Sequence, residues 1–234
     1  PTSGACRICS YGSSRELHVR RIESLFSGLK TTILAPSSSA LRRFLKMSTM
    51  QWHKAIALPL AELKKNENPL IRSKNLEQKI RVMFIGICSY HKGWNTFQKL
   101  ATNPTIMDKY EFFLLTSDVE APVSGNITVR HARVTREDRE SMINAIIDSR
   151  VDVIINWSLW PETFNYALYE AVAAGAFILT NSDAGNVTEF VHKAGANVGH
   201  VLKNESELQQ IFESNEIHNY IINREKLLFK LSHN

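Results

Sequence analysis

Apolar residues along this chain fall into two rhythms. Short runs that are apolar on both faces alternate with longer stretches in which apolar positions recur every three to four residues. The first rhythm predicts strands over residues 31–36, 79–85, 111–116, 127–129, 151–156, 176–180 and 200–202. The second predicts helices over 37–46, 93–101, 136–147, 164–174, 187–193, 205–212 and 216–231. Serines open the helix at 37, and Thr135 and Thr163 stand where caps are expected. Residues 55–60 read as extended, and the polar run 62–74 reads as a surface linker. Strands apolar on both faces, interleaved with amphipathic helices, describe a parallel sheet covered on both sides. The expected fold class is therefore α/β, a doubly wound parallel sheet with helices on both faces. A domain boundary is expected between residues 59 and 79.

Composition narrows the picture a little. The 234 residues are 44% hydrophobic and 22% charged, an ordinary globular mixture with enough chain for a sizeable core. No apolar run approaches 18 residues, so no transmembrane helix is expected. The start, Pro1-Thr2-Ser3-Gly4-Ala5, lacks an initiator Met and the layout of a signal peptide, so the chain is expected to be a fragment of a longer protein. Three cysteines (Cys6, Cys9, Cys88) are too few for a disulfide scaffold and favour a reducing, cytoplasmic compartment. Cys6-x-x-Cys9 has no second Cys/His pair at finger spacing and no strand before it, so neither metal nor redox chemistry is expected there. The formal charge of +5 suits anionic partners, with small basic clusters at Arg20-Arg21 and Arg42-Arg43. No block reads as a nucleic-acid arm, and no nucleic-acid partner is expected. The sequons at Asn126, Asn156, Asn186 and Asn204 read as chance matches.

In a doubly wound sheet, ligands bind outside the carboxyl ends of the strands, so three strand-to-helix loops are the places where chemistry is expected. The first, Gly86 to Gly93, ends on Lys92; Gly86 permits a sharp turn and Gly93 would let the helix start close to a bound group. Its helix N-terminus favours phosphate, and Lys92 adds a full positive charge. The second runs from Trp160-Pro161-Glu162 into a helix whose core stripe is Phe164, Ala167, Leu168, Ala171 and Val172. Glu162 precedes that helix, and Glu170 sits almost two turns in, beside the apolar stripe. A carboxylate held there offers two acceptor oxygens to adjacent hydroxyls, as sugar diols require. The third, Asn181 to Glu189, can present backbone N–H groups of Gly185-Asn186 to an anion or a sugar. Each loop alone also reads as an ordinary surface turn with solvated charges; the three together point to a ligand site.

These residues resemble the C-terminal half of GT-B glycosyltransferases, family 4 in particular. The family carries Lys-Gly after its first strand, then Pro-Glu-x-Phe-Gly…Glu-Ala-x-Ala-x-Gly, then a Gly-Gly-x-x-Glu turn. Here they read Lys92-Gly93, Pro161-Glu162-Thr163-Phe164-Asn165…Glu170-Ala171-Val172-Ala173-Ala174-Gly175 and Gly185-Asn186-Val187-Thr188-Glu189, agreeing in order over residues 79–213. The resemblance implies a retaining hexosyltransferase that uses a nucleotide diphosphate-sugar as donor substrate, with no further cofactor. The acceptor would be a saccharide or lipid-linked molecule in polysaccharide biosynthesis, at or near the cytoplasmic face of a membrane. It implies that Lys92 binds the diphosphate and stabilises the leaving group, and that Glu162 faces the transferred sugar. Glu170 would hold the ribose, and Gly86, Gly93, Thr163, Phe164, Asn165, Gly185 and Asn186 would line the donor pocket. No Asp-x-Asp is present, so a metal clamp is not expected.

Three departures stand out: Ile87 occupies the usual Arg position, and Asn165 and Asn186 replace glycines. Residues 1–60 correspond only to the last part of an acceptor-side Rossmann-like domain, 61–78 to a linker, 79–215 to the donor-binding domain and 216–234 to a C-terminal helix. The chain alone is expected to bind donor weakly and transfer little. Two alternatives stand beside this reading: a non-catalytic nucleotide-sugar-binding module needing a partner chain, and a GT-B-like sugar-nucleotide epimerase.

Overall fold

The computed structural model describes residues 12–65, 78–123, 125–222, 224 and 226–234. Cys6 and Cys9 lie outside them, as do residues 66–77 of the expected linker. The chain divides into two compact units, Pro1–Pro59 and Leu60–Asn234. In the first, helices α1 (Arg15–Phe26) and α2 (Ser38–Met47) accompany a parallel pair of strands, β1 (Thr32–Ala35) and β2 (Lys54–Ala57). Ser37 caps α2 from an extended backbone, its hydroxyl accepting the Ala40 N–H at 3.1 Å.

The second unit contains β3 (Ala61–Lys65), β4 (Ile80–Ile85), α3 (Trp94–Ala101), β5 (Tyr110–Thr116), β6 (Ile127–His131), α4 (Ser141–Asp148) and β7 (Val153–Ile155). It continues with α5 (Tyr166–Ala173), β8 (Phe177–Asn181), α6 (Asn186–Ala194), β9 (Gly199–Leu202), α7 (Glu205–Glu213), α8 (Ile217–Ile222) and β10 (Phe229–His233). Its main sheet has six parallel strands in the order β6-β5-β4-β7-β8-β9. The alternation of side chains along a strand builds two cores. Ile80, Val82 and Phe84 of β4 join Trp94, Phe97, Phe212 and Ile217 on one face. Met83 of the same strand joins Ile146, Leu168, Val172 and Val187 on the other. The expected doubly wound α/β class is the one found.

Two sequence expectations need correction. Residues 229–233 were expected to be helical and instead form β10, which pairs antiparallel with β3. Phe229 and Leu231 alternate with Lys230 and pack with Leu63 against the α5 side of the sheet. Long-range pairing thus overrides helical periodicity, and the expected linker opens with a strand. Helix α4 begins at Ser141, not 136. Thr135 closes a turn ahead of it, accepting the Asp138 N–H at 3.1 Å while its own N–H donates to the Asp138 carbonyl at 3.0 Å. The basic residues are spread over both units, but the net charge is not. Residues 1–59 hold nine Lys or Arg against two Glu, a net +7, which leaves −2 on residues 60–234.

The β3–β10 pair covers α5 with partly buried apolar side chains. Leu231→Ala is therefore expected to cost about 1–2 kcal/mol, read as a lower midpoint in urea unfolding with an unchanged slope.

Candidate functional site

The strand order reverses direction between β4 and β7: β5 and β6 lie on one side of this pair, β8 and β9 on the other. Helices leave opposite faces of the sheet there, which opens a crevice beyond the carboxyl ends of the two strands. The loop after β4 and the loop after β7 meet in it. Gly86 ends β4 with φ +119, a conformation that demands glycine, while the space around it is open. Gly93 has φ +83, and a β-carbon there would lie 2.1 Å from the Trp157 carbonyl oxygen. Gly93 therefore makes room for the main chain of the neighbouring loop. The two loops are joined further by the Leu159 N–H donating to the His91 carbonyl at 2.9 Å. The rings of His91 and Trp160 lie 4.0 Å apart with 30° between their planes.

Glu162 is the point where all three loops converge. Its N–H donates to the Ala184 carbonyl at 3.2 Å and its carbonyl accepts the Asn186 N–H at 2.9 Å, a strand-like bridge across to Gly185. Gly185 has φ +66, and a β-carbon on it would come within 2.7 Å of Glu162 main-chain atoms. The Glu162 side chain is 8% exposed. Its Oε1 accepts from Lys92 Nζ at 2.6 Å and from Ser158 Oγ at 3.0 Å. Its Oε2 has no hydrogen-bond partner among the described residues. The short, charge-assisted bond to Lys92 neutralises a carboxylate that burial would otherwise penalise. One ammonium proton is engaged, so two remain for a ligand.

Asn165, not Thr163, caps α5. Its Oδ1 accepts the Leu168 N–H at 2.9 Å, whereas Thr163 is exposed. Asn165 has φ −127, an extended backbone that does not call for glycine. Its own N–H donates to Asn186 Oδ1 at 3.3 Å, and Asn156 exchanges hydrogen bonds with its carboxamide at 3.1 and 3.4 Å. The Asn165 N–H is therefore bonded to Asn186. Phe164 stacks on Tyr169 with centroids 4.6 Å apart, and so faces an aromatic wall.

Glu170 stands apart from this cluster. It is 8% exposed on α5, with no hydrogen-bond partner for its carboxylate among the described residues. Burial pushes its pKa up to about 7. A buried, unpaired titratable group beside a crevice marks a candidate ligand contact. Among the described residues no group of three His, Cys, Asp or Glu side chains could hold a metal ion, and no helix is long and apolar enough to cross a membrane.

The structure thus brings Lys92, Gly93, Glu162, Asn165, Gly185 and Asn186 into one connected set, leaves Gly86 at the mouth of the first loop, and holds Glu170 on the helix behind. Sequence reasoning overlooked Ser158, Asn156 and Asn181. Asn181 is buried at the end of β8 and donates from Nδ2 to the Ser158 carbonyl at 2.8 Å. Polar residues directly after apolar strands were the available signal, and Asn156 was noticed only as a sequon.

Two outcomes follow from this geometry. Gly93→Ala combines an unfavourable φ with a clash against main chain; it is expected to destabilise the protein by about 2 kcal/mol or more, read by thermal or urea unfolding. Glu170 has a folded-state pKa near 7 against an ordinary 4.5, so the folded state binds its proton more tightly. Stability is then full below about 4.5 and falls as pH rises through 7, by about 3 kcal/mol in all. Glu170→Gln is expected to flatten that part of the stability profile, and an unchanged profile would contradict the assignment.

No protein-family model matches the chain, and no curated protein matches it by sequence. Solved structures do match. Similarity to WaaG, a glycosyltransferase involved in lipopolysaccharide biosynthesis, has a TM-score of 0.57 at 14% identity, covering 82% of this chain and 55% of that one. Similarity to Anabaena Alr3699/HepE in complex with UDP and glucose has a TM-score of 0.57 at 13% identity, covering 87% and 58%. Similarity to a glycosyltransferase from Rickettsia africae has a TM-score of 0.56 at 12% identity, covering 83% and 55%. The matched part spans little more than half the length of each of these proteins. The sheet order, the helices on both faces and these matches together establish that the chain has a GT-B glycosyltransferase fold with a Rossmann-like domain over residues 60–234.

Proposed function

We propose that residues 60–234 bind the donor of a glycosyltransferase, a nucleotide diphosphate-sugar, in the crevice between β4 and β7. The observation that carries the proposal is the Lys92–Glu162 pair at the reversal point of the sheet. It is 2.6 Å long, with two ammonium protons and one carboxylate oxygen still available. A diphosphate would take the free Lys92 protons, and a sugar hydroxyl would donate to the free oxygen of Glu162. Glu170, buried and unpaired, suits the two hydroxyls of a ribose. HepE, which shares the fold, was solved with UDP and glucose bound.

The chemistry follows from these placements. Breaking the bond between sugar and diphosphate leaves charge on the departing phosphate. Lys92, kept at the crevice by Glu162, would turn its free protons to that phosphate and stabilise the charge. The reaction proposed is transfer of the sugar, with retention at its anomeric carbon, to a saccharide or lipid-linked acceptor, as in polysaccharide biosynthesis.

Titration calorimetry with UDP, GDP and ADP and their sugar conjugates tests the donor site. Lys92→Ala is expected to weaken binding of the preferred diphosphate about tenfold or more, and Glu170→Ala to weaken it to a lesser degree. Equal affinity in wild type and both variants would sink the proposal.

A further inference from the structure

We infer that Ser158 is a positioning residue that aims Glu162 at the donor sugar. The inference rests on the donor-site reading above and adds a residue to it. Ser158 follows β7 and is 1% exposed, so its hydroxyl meets no water and must choose among protein acceptors. Three lie within reach: Glu162 Oε1 at 3.0 Å, the Trp160 carbonyl at 3.0 Å and the His91 carbonyl at 3.3 Å. The hydroxyl has one proton, and an ionised carboxylate is the strongest of these acceptors. Its main chain is fixed from the opposite side by Asn181, whose Nδ2 donates to the Ser158 carbonyl at 2.8 Å. Asn181 is itself held, its Oδ1 accepting the Asp183 N–H at 2.8 Å and its carbonyl accepting from Thr188 Oγ1 at 2.8 Å.

The consequence is an asymmetric carboxylate. Oε1 of Glu162 receives both Lys92 and Ser158, while Oε2 receives neither. Lys92 alone could not enforce this. Its side chain is 36% exposed and turns on a flexible stem, and a bound diphosphate competes for its protons. Ser158 is short, buried and anchored, so it holds Oε1 when Lys92 is drawn toward phosphate. That leaves Oε2 directed to a hydroxyl of the sugar. Ser158 touches no ligand atom in this scheme; it acts through Glu162. Its loss should therefore weaken recognition of the sugar and spare recognition of the diphosphate.

The test uses the full 234-residue chain. Affinities for UDP and UDP-glucose, and for GDP and GDP-mannose, are measured by calorimetry for wild type, Ser158→Ala and Ser158→Thr, with thermal unfolding of each as a folding check. The expected result is that Ser158→Ala binds the free diphosphate like wild type and binds the preferred sugar conjugate about tenfold more weakly, a loss the hydroxyl of Ser158→Thr largely restores. Equal weakening toward diphosphate and conjugate, or no weakening toward either, would overturn the positioning role. Failure of Ser158→Thr to recover the conjugate while it folds normally would also overturn it. A wild-type protein that binds none of UDP, GDP, ADP and their sugar conjugates overturns the donor-site reading and this inference together.

Discussion

A carboxylate taken out of water must find a counter-charge, and Glu162 finds its own seventy residues away in Lys92. Much of the candidate site depends on that requirement. The pair forms only if the loop after β4 and the loop after β7 lie side by side, and they do so because Gly93 has no side chain to keep Trp157 away. The main chain of Glu162 is meanwhile stitched to the loop after β8 on either side of Gly185. Three loops that are distant in sequence thereby share one residue, two through its carboxylate and one through its main chain. Its rigidity comes from the sheet beneath, whose parallel strands fix where each loop begins.

The charge distribution gives the pair further weight. The unit that holds it carries a net −2, so it has no overall excess of positive charge. Within that unit, attraction for phosphate falls to Lys92 and to backbone N–H groups at close range. The three asparagines act within this economy of donors. Asn186 accepts the Asn165 N–H, and Asn156 and Asn165 bind one another, so these carboxamides consume each other's hydrogen-bonding capacity. The pocket wall they form is firm, and it offers fewer open main-chain donors than glycines at the same two positions would.

Much of this was legible in the sequence. The strands of the parallel sheet announce themselves because burial on both faces leaves only apolar residues, as in Val82–Phe84 and Phe112–Leu115. Lys92, Glu162 and Glu170 were identifiable because charged residues at strand-to-helix junctions of such a sheet have few structural reasons to be there. Other features were illegible for a common reason: they are settled by partners far away in the chain. Nothing local reveals that Leu231 will pair with Leu63, so β3 passes for linker and β10 for helix. Thr163 and Asn165 are both competent caps, and the choice falls to Asn165 because Asn156 and Asn186 hold it in place. Gly93 was recognised as a site residue, but its close approach to Trp157 was not foreseeable. Ser158 carried only the weak signal of a polar residue after an apolar strand, and its role became visible with the three acceptors around its hydroxyl.

The pairing of β3 with β10 has a topological corollary. Ala61 lies opposite His233, and the Asn234 N–H bonds the Leu60 carbonyl at 3.1 Å. The second unit is therefore a closed circuit whose two ends touch. Spliced at that junction and reopened in the exposed stretch around Val119, its backbone would follow the same path in a different order, with every strand of the parallel sheet keeping its neighbours. Under such a rearrangement β4 and β7 would keep the register that sets the crevice loops side by side.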